Sequence, residues 1–452
     1  MNSSNNNINN NIKRVITGLE QLLQGPKYQN ILQGRIGLLC NSAAVTHNLE
    51  LGAVALKRIL GNRLKKLFGP QHGFLTTVQD NMIESSDFYH QALDLQIYSL
   101  YSNTRIPTEE MLSDLDTILV DLQDIGGRVY TYIYTMTLLM DTVAKLNQSG
   151  KSNIKVVILD RPNPIGGDLI EGNILEKEYR SFVGLHPLPA RHGLTIGEVA
   201  QMIYRYGFDL DELDELDDVD DNKQSKFLAN NLQLEIIPML NWQREMSFDQ
   251  TSLPFVIPSP NISNLDACYT FPGTVIFEGT NISEGRGTVR ALEIIGHPQL
   301  EPFSFCSSMT KIFNHLNLTG FVLRPLSFMP TFNKFQQQTC GGLQIHVTDK
   351  KLFRPWKVSL MLLKYLFHDK LLKNVFKWKA PPYEYEYTKL PFDIINGSTK
   401  IRQWIESTST DYNYTIDDNY KHVEDIYSQL LELENGNDLK KYLNKRQNIL
   451  LY

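Results

Sequence analysis

The chain has 452 residues, with 44 Lys and Arg against 50 Asp and Glu and a formal net charge of −6 at pH 7. That length allows two or three domains and a sizeable core. The acidic balance argues against a constitutive nucleic-acid binder, which needs a basic face. No apolar run approaches the ~18 residues of a membrane span.

Four cysteines are scattered along the chain, at Cys40, Cys268, Cys306 and Cys340, with no C-x-x-C pair. They predict buried free thiols in a reducing compartment rather than a zinc cluster or a disulfide scaffold. The first residues read MNSSNNNINNN. This stretch lacks the charged, apolar and small-residue segments of a signal peptide, so a disordered tail over 1–12 and a cytoplasmic location are expected.

Over 13–257, apolar β-branched runs alternate with helical patterns. The runs start at Arg35 (RIGLLCN), Lys65 (KKLFGP), Gln96 (QIYSLY), Thr117 (TILVDLQD), Lys155 (KVVILDRP) and Leu234 (LEIIPM). Helices are expected over 49–60, 130–147 and 195–206. Short apolar strands separated by helices predict a parallel sheet covered on both faces, a Rossmann-like α/β domain. No G-x-G-x-x-G follows the first strand, so no dinucleotide site is indicated. Residues 209–221 hold nine acidic groups in thirteen and read as a solvated loop. Beyond Pro254–Pro260 the texture changes. Strands are expected at 273–279, from Gly320 and from Gly342, and a helix over 356–368. Residues 258–452 therefore read as a smaller α+β domain.

In an open α/β sheet, ligands bind beyond the carboxyl ends of the strands. Polar groups gather there in this sequence. After the second run come Gln71 and His72. After the fourth come Asp124 and Arg128, flanking Gly126 and Gly127, then Tyr130. After the fifth come Asp160, Arg161 and Asn163, in a loop stiffened by Pro162 and Pro164. Each has a structural alternative: an ion pair across a turn, or a local Asx bond. Thr195 and Glu198 fit a capping box, which assigns Glu198 to the backbone and leaves Arg191 and His192 before a helix start. Glu278, Glu284 and Arg286 lie in the dense EGTNISEGRGT, and Asn261 in PSPNIS. A salt-bridged hairpin is the alternative there.

These segments resemble the exo-β-N-acetylmuramidase family of bacterial peptidoglycan recycling. The resemblance rests on FGPQHGF from Phe68, YSLY from Tyr98, DLQDIGGRVYTYIYTM from Asp121 and LDRPNPIGG from Leu159. It continues through EGN from Glu171, SFVG from Ser181, RHGLTIGE from Arg191, PSPNIS from Pro258, FPG from Phe271 and EGTNISEGRGT from Glu278. PYEYEY from Pro382 and PFDIINGS from Pro391 also fit. It spans roughly 15–452. It implies a Rossmann-like domain and a smaller C-terminal domain with a cleft between them, and release of terminal β-linked N-acetylmuramic acid from the non-reducing end of peptidoglycan fragments. It implies no metal or organic cofactor.

One departure stands out. Many members carry Glu where this chain has Gln71, and Gln cannot protonate a leaving group. Glu84, in QDNMIES from Gln79, is the expected replacement as acid or base, with Asp124 as its partner carboxylate or orienting it, and His72 beside them. Arg128, Arg161 and Arg286 are candidates for the lactyl carboxylate. Gln71, His72, Asn163, His192 and Asn261 are candidates for hydroxyls or the acetamido group. Tyr130 and Tyr132 are candidates for stacking, Asp160 is a further polar candidate, and Glu171, Glu278 and Glu284 are open alternatives for the carboxylate roles and for substrate contacts. The expected partner is a small saccharide or muropeptide, with neither nucleic acid nor membrane. The rival reading is a binding protein that lost its acid at position 71. A metal-dependent hydrolase built on His72 and Asp124 has no H-x-H or H-E-x-x-H spacing behind it.

Overall fold

The computed structural model describes residues 13–80, 82–208, 226–407 and 420–452. The expected tail over 1–12 and the acidic stretch 209–221 lie outside the described residues.

Seven strands form the first sheet: β1 (Ile36–Cys40), β2 (Leu64–Gly69), β3 (Phe88–His90), β4 (Leu95–Ser99), β5 (Thr117–Asp121), β6 (Lys155–Leu159) and β7 (Gln233–Ile237). Their order is β3-β4-β2-β1-β5-β6-β7. All pairings are parallel except β3 with β4. The six expected strands are therefore present. The unexpected one, β3, has three residues and no fully buried side chain, so it carries no periodic signal.

Period-two alternation gives the sheet two apolar faces. Ile118, Val120, Val156 and Ile158 join one cluster with Val143 of the helix Tyr132–Gln148 and Val199 of the helix Ile196–Tyr206. Leu119, Val157 and Leu159 join a second with Leu19 and Leu22 of Gly18–Gln24 and Leu56 of Gly52–Leu60. Thr195 and Glu198 form the expected capping box.

In the C-terminal part, β8 (Ile294–His297), β9 (Phe321–Phe328) and β10 (Cys340–Val347) make an antiparallel sheet in the order β8-β10-β9. The expected helix appears as Pro355–His368. The strand expected at 273–279 does not. Those residues finish the helix Leu265–Thr274 and continue as a 3-10 turn, Val275–Gly279. Every side of the run is buried, and a short all-apolar run does not distinguish strand from buried helix. Gly273 allows the close approach: a Cβ there would sit 2.0 Å from the carbonyl oxygen of Pro355. Ile295, Leu343 and Trp356 belong to the same apolar cluster as one face of the large sheet, so the two parts share a core.

All four cysteines are buried and free. No helix among the described residues is long and apolar enough to cross a membrane.

Candidate active site

The chain runs from β1 outward through β2 to β4, then returns to the other side of β1 with β5. The direction reverses between β1 and β5, which opens a crevice at their carboxyl ends. Asn41, the residue after β1, donates to the Tyr132 hydroxyl at 3.1 Å and to the Pro258 carbonyl at 3.0 Å. This brings the segment with Ser259 and Asn261 over the sheet. Helical residues near Glu278 and the loop with Tyr383 and Glu384 close the other side. The resulting pocket encloses about 470 Å³ when its open mouth is included.

Gln71 and His72 reach the pocket from the turn after β2. The Thr131 hydroxyl donates to Gln71 Oε1 at 2.7 Å. The amide nitrogen is therefore the group that faces Glu384, whose carboxylate accepts a hydrogen bond from Gln71. His72, at φ 71°, donates from Nδ1 to the Val78 carbonyl at 2.7 Å. Burial and the charge of Arg286 hold its pKa down to about 4. At neutral pH the ring is uncharged, with Nε2 as an acceptor.

Two buried carboxylates share this pocket. Burial, with the negative charge of Glu278 adding to it, pushes Glu384 up to about 7. A hydrogen bond from the Tyr101 hydroxyl, at 2.8 Å, opposes that rise. Burial acts upward on Glu278 too, but the guanidinium of Arg286 and the Tyr383 hydroxyl, at 2.8 Å, outweigh it and hold Glu278 below its ordinary value. Near neutral pH one carboxyl is ionised and the other exchanges its proton. Environments that push two such groups apart separate an acid from a permanent anion.

Arg286 pairs with Glu278 and, through Nε, with Glu284 at 3.2 Å. Glu284 also binds Lys334 at 2.7 Å. Arg286 NH1 and Asn261 Oδ1 are buried without a hydrogen-bond partner, and both residues line the pocket. They are a ready donor and acceptor for a polar ligand. Tyr130 lines it as well, edge-on to Phe271.

The structure thus gathers Gln71, His72, Tyr130, Asn261, Glu278 and Arg286 of the expected residues. The others lie elsewhere. Glu84 sits in a neighbouring cavity, where it accepts from the Tyr385 hydroxyl at 3.0 Å and pairs with Arg105 at 3.3 Å. Arg128 is wholly buried and donates to the carbonyls of Asn173, Leu188, Ile395 and Asn396. Arg161 is spent on Asp121 and the Val45 carbonyl. Asp160 caps the helix Ile196–Tyr206 through Thr195 and Gly197, both at 2.8 Å, and accepts from the Tyr452 hydroxyl at 2.6 Å. Asn163 bonds Leu194 and Ile165, and its side chain presses against Gly126, which turns at φ 81°. Asp124 accepts from the Gly126 amide at 2.7 Å and lies 3.4 Å from His192 Nε2, a buried pair away from the pocket lining. Glu171 accepts from the Lys357 amide. Tyr132 holds Pro258 in place through its hydroxyl. These residues build the loops rather than line the pocket, because a strand-end loop needs buried polar groups to pair its own backbone.

Glu384 and Tyr383 were not singled out by residue in the sequence. Their only signal was the aromatic–acid alternation of PYEYEY, more than 300 residues from Gln71. Among the described residues no cluster of three His, Cys, Asp or Glu is placed to hold a metal ion.

Known proteins match along nearly the whole chain. A Bacillus subtilis (strain 168) protein described as peptidoglycan β-N-acetylmuramidase NamZ is 39% identical over 396 residues, covering 87% of this chain and 85% of that one. Two DUF1343 family crystal structures from Bacteroides fragilis NCTC 9343 superpose with TM-scores of 0.72 and 0.64. They are 28% and 25% identical, and each comparison covers 97% of this chain and 99% of the other. The models of the exo-β-N-acetylmuramidase NamZ N-terminal and C-terminal domains match residues 36–266 and 269–452, and the chain belongs to that family.

Proposed function

We propose that the protein is an exo-acting glycoside hydrolase, located in the cytoplasm, that releases terminal β-linked N-acetylmuramic acid from the non-reducing end of peptidoglycan fragments. The observation that carries this reading is the pair of buried carboxylates in one pocket, Glu278 paired with the guanidinium of Arg286 and Glu384 bonded by the neutral hydroxyl of Tyr101. Glu384 is the general acid: its proton passes to the glycosidic oxygen as the bond from that oxygen to C1 of the muramic acid breaks and the rest of the glycan departs as the alcohol. A water supplies the new hydroxyl at C1 and returns a proton to the site. Glu278 is the second carboxylate that glycoside hydrolysis uses. Neutral His72 Nε2, Asn261 Oδ1 and Arg286 NH1 receive the polar groups of the sugar. Gln71 is not the acid; its amide steadies the carboxylate of Glu384. Asp124 and Glu84 take no proton-transfer role in this scheme.

The test is hydrolysis of a chromogenic β-N-acetylmuramide, with the matching β-N-acetylglucosaminide as control. Release from the muramide alone supports the reading. Release from both keeps the hydrolase and removes muramic-acid selectivity. The presence of Gln71 favours one rival, a muropeptide-binding protein without turnover. Saturable binding with no release from either substrate would establish that rival.

Gln71→Glu should shift the pH dependence in a defined direction. It replaces a donor to Glu384 by a second carboxyl, so the pair holds its last proton more tightly. The alkaline limb of the kcat/KM profile should move upward by roughly one pH unit. A limb that stays in place would show that position 71 does not touch the acid.

A further inference from the structure

Glu84, Arg105 and Tyr385 form a cluster outside the pocket lining, next in the chain to Glu384 through Tyr385. They come from the segment after β2, the segment after β4, and the loop that carries Glu384. That loop is strained. Glu384 and Tyr385 have φ of 46° and 68°, and Met82, which receives the Glu384 amide at 3.2 Å, has φ 58°. Non-glycine residues persist in this left-handed region where their surroundings hold them.

Reciprocal backbone hydrogen bonds between Tyr383 and Glu386, both at 2.9 Å, close this turn, and the side-chain contacts that tie it to the rest of the protein form a closed circuit. The Tyr385 hydroxyl donates to Glu84 at 3.0 Å. Glu84 pairs with Arg105 at 3.3 Å. The Arg105 guanidinium lies 3.7 Å from the centre of the Tyr385 ring and 4.6 Å from that of Tyr101. The Tyr101 hydroxyl donates to Glu384 at 2.8 Å, and Glu384 is bonded covalently to Tyr385.

We propose that Glu84 is a positioning residue: acting through Arg105 and Tyr385, it fastens the loop that holds the Glu384 carboxyl over the pocket. This rests on the role given to Glu384 above. The titratable and charged groups facing Glu384 are Tyr101, Arg105, Glu278 and Tyr383, with His72 and Arg286 lining the same pocket. Neutralising Glu84 leaves the Arg105 charge unopposed beside Tyr101. Loosening the loop admits water to Glu384. Both changes favour the carboxylate, so both lower the pH at which Glu384 loses its proton.

The experiment is Glu84→Gln. The substitution is isosteric and the side chain is 42% exposed, so the fold tolerates it. Two readouts are needed: a carbon-13 carboxyl titration of Glu384, assigned by its absence in Glu384→Gln, and the pH profile on the chromogenic muramide. The expected result is a Glu384 midpoint lowered by roughly half a pH unit or more. The alkaline limb moves down with it, and turnover at acidic pH stays at about a tenth of wild type or better. An unmoved midpoint overturns the proposal. Loss of turnover of about a hundredfold or more at every pH, with Glu384 titrating as before, also overturns it, because Glu84 would then be the proton donor itself. Absence of turnover in the wild type would instead remove the hydrolase reading. The titration alone would still decide the role of Glu84.

Discussion

Glu384→Gln should lower kcat on a chromogenic β-N-acetylmuramide by about a hundred- to ten-thousand-fold, the range a general acid contributes. The amide keeps the size of the carboxyl and can still accept from Tyr101. The released sugar should therefore bind the variant as it binds the wild type, which isothermal titration can check. Only the transferable proton is gone. In the wild type that proton is held to about pH 7, chiefly by burial. The acid works in its protonated form, so kcat/KM should fall as pH rises through about 7 and recover on return. Near-normal turnover by the variant would mean that another group donates the proton.

Arg128→Ala should cost about 4 kcal/mol of folding stability in a denaturant titration. The side chain is 1% exposed and donates to four carbonyls, two in the segment 173–188 and two at 395–396. Each buried acceptor left without a donor costs roughly 1–3 kcal/mol, and water entering the cavity recovers part of the total. Burial draws the guanidinium down to about 10, still far above neutrality, so the group stays charged and its hydrogen bonds stay strong. The opposite pattern, an ordinary stability with a sharply raised KM, would return Arg128 to the substrate-binding role its sequence position suggested.

The two substitutions separate what a strand-end loop does with its polar residues. The loops after β5 and β6 carry Asp124, Arg128, Asp160, Arg161 and Asn163, and every one of them is committed to protein partners. Position at the carboxyl end of a parallel strand pointed to a ligand. Yet the same position is where the chain must leave the sheet, turn and bury its backbone, and that task uses the same residue types. The exceptions are Tyr130, at the end of the segment after β5, and the turn after β2. Gln71 and His72 face the pocket because the segment with Asn261 and the loop with Glu384 come to meet them.

The sequence by itself determined the parallel sheet, because runs of four to six buried apolar residues between helical patterns have few other solutions. It also determined the capping box at Thr195, a purely local device. Family membership was legible for a similar reason, since long ordered segments survive along the whole chain. Tertiary structure alone decided which carboxylate is buried enough to hold a proton near neutral pH. Glu84 and Glu384 are both acidic residues near aromatic ones, and nothing local distinguishes them. Burial does: Glu84 is exposed, while Glu384 is enclosed beside Glu278 and bonded by Tyr101 and Gln71. A proton affinity is set by the dielectric and charge around a group, and here those come from residues up to 313 positions away along the chain, the separation of Gln71 and Glu384.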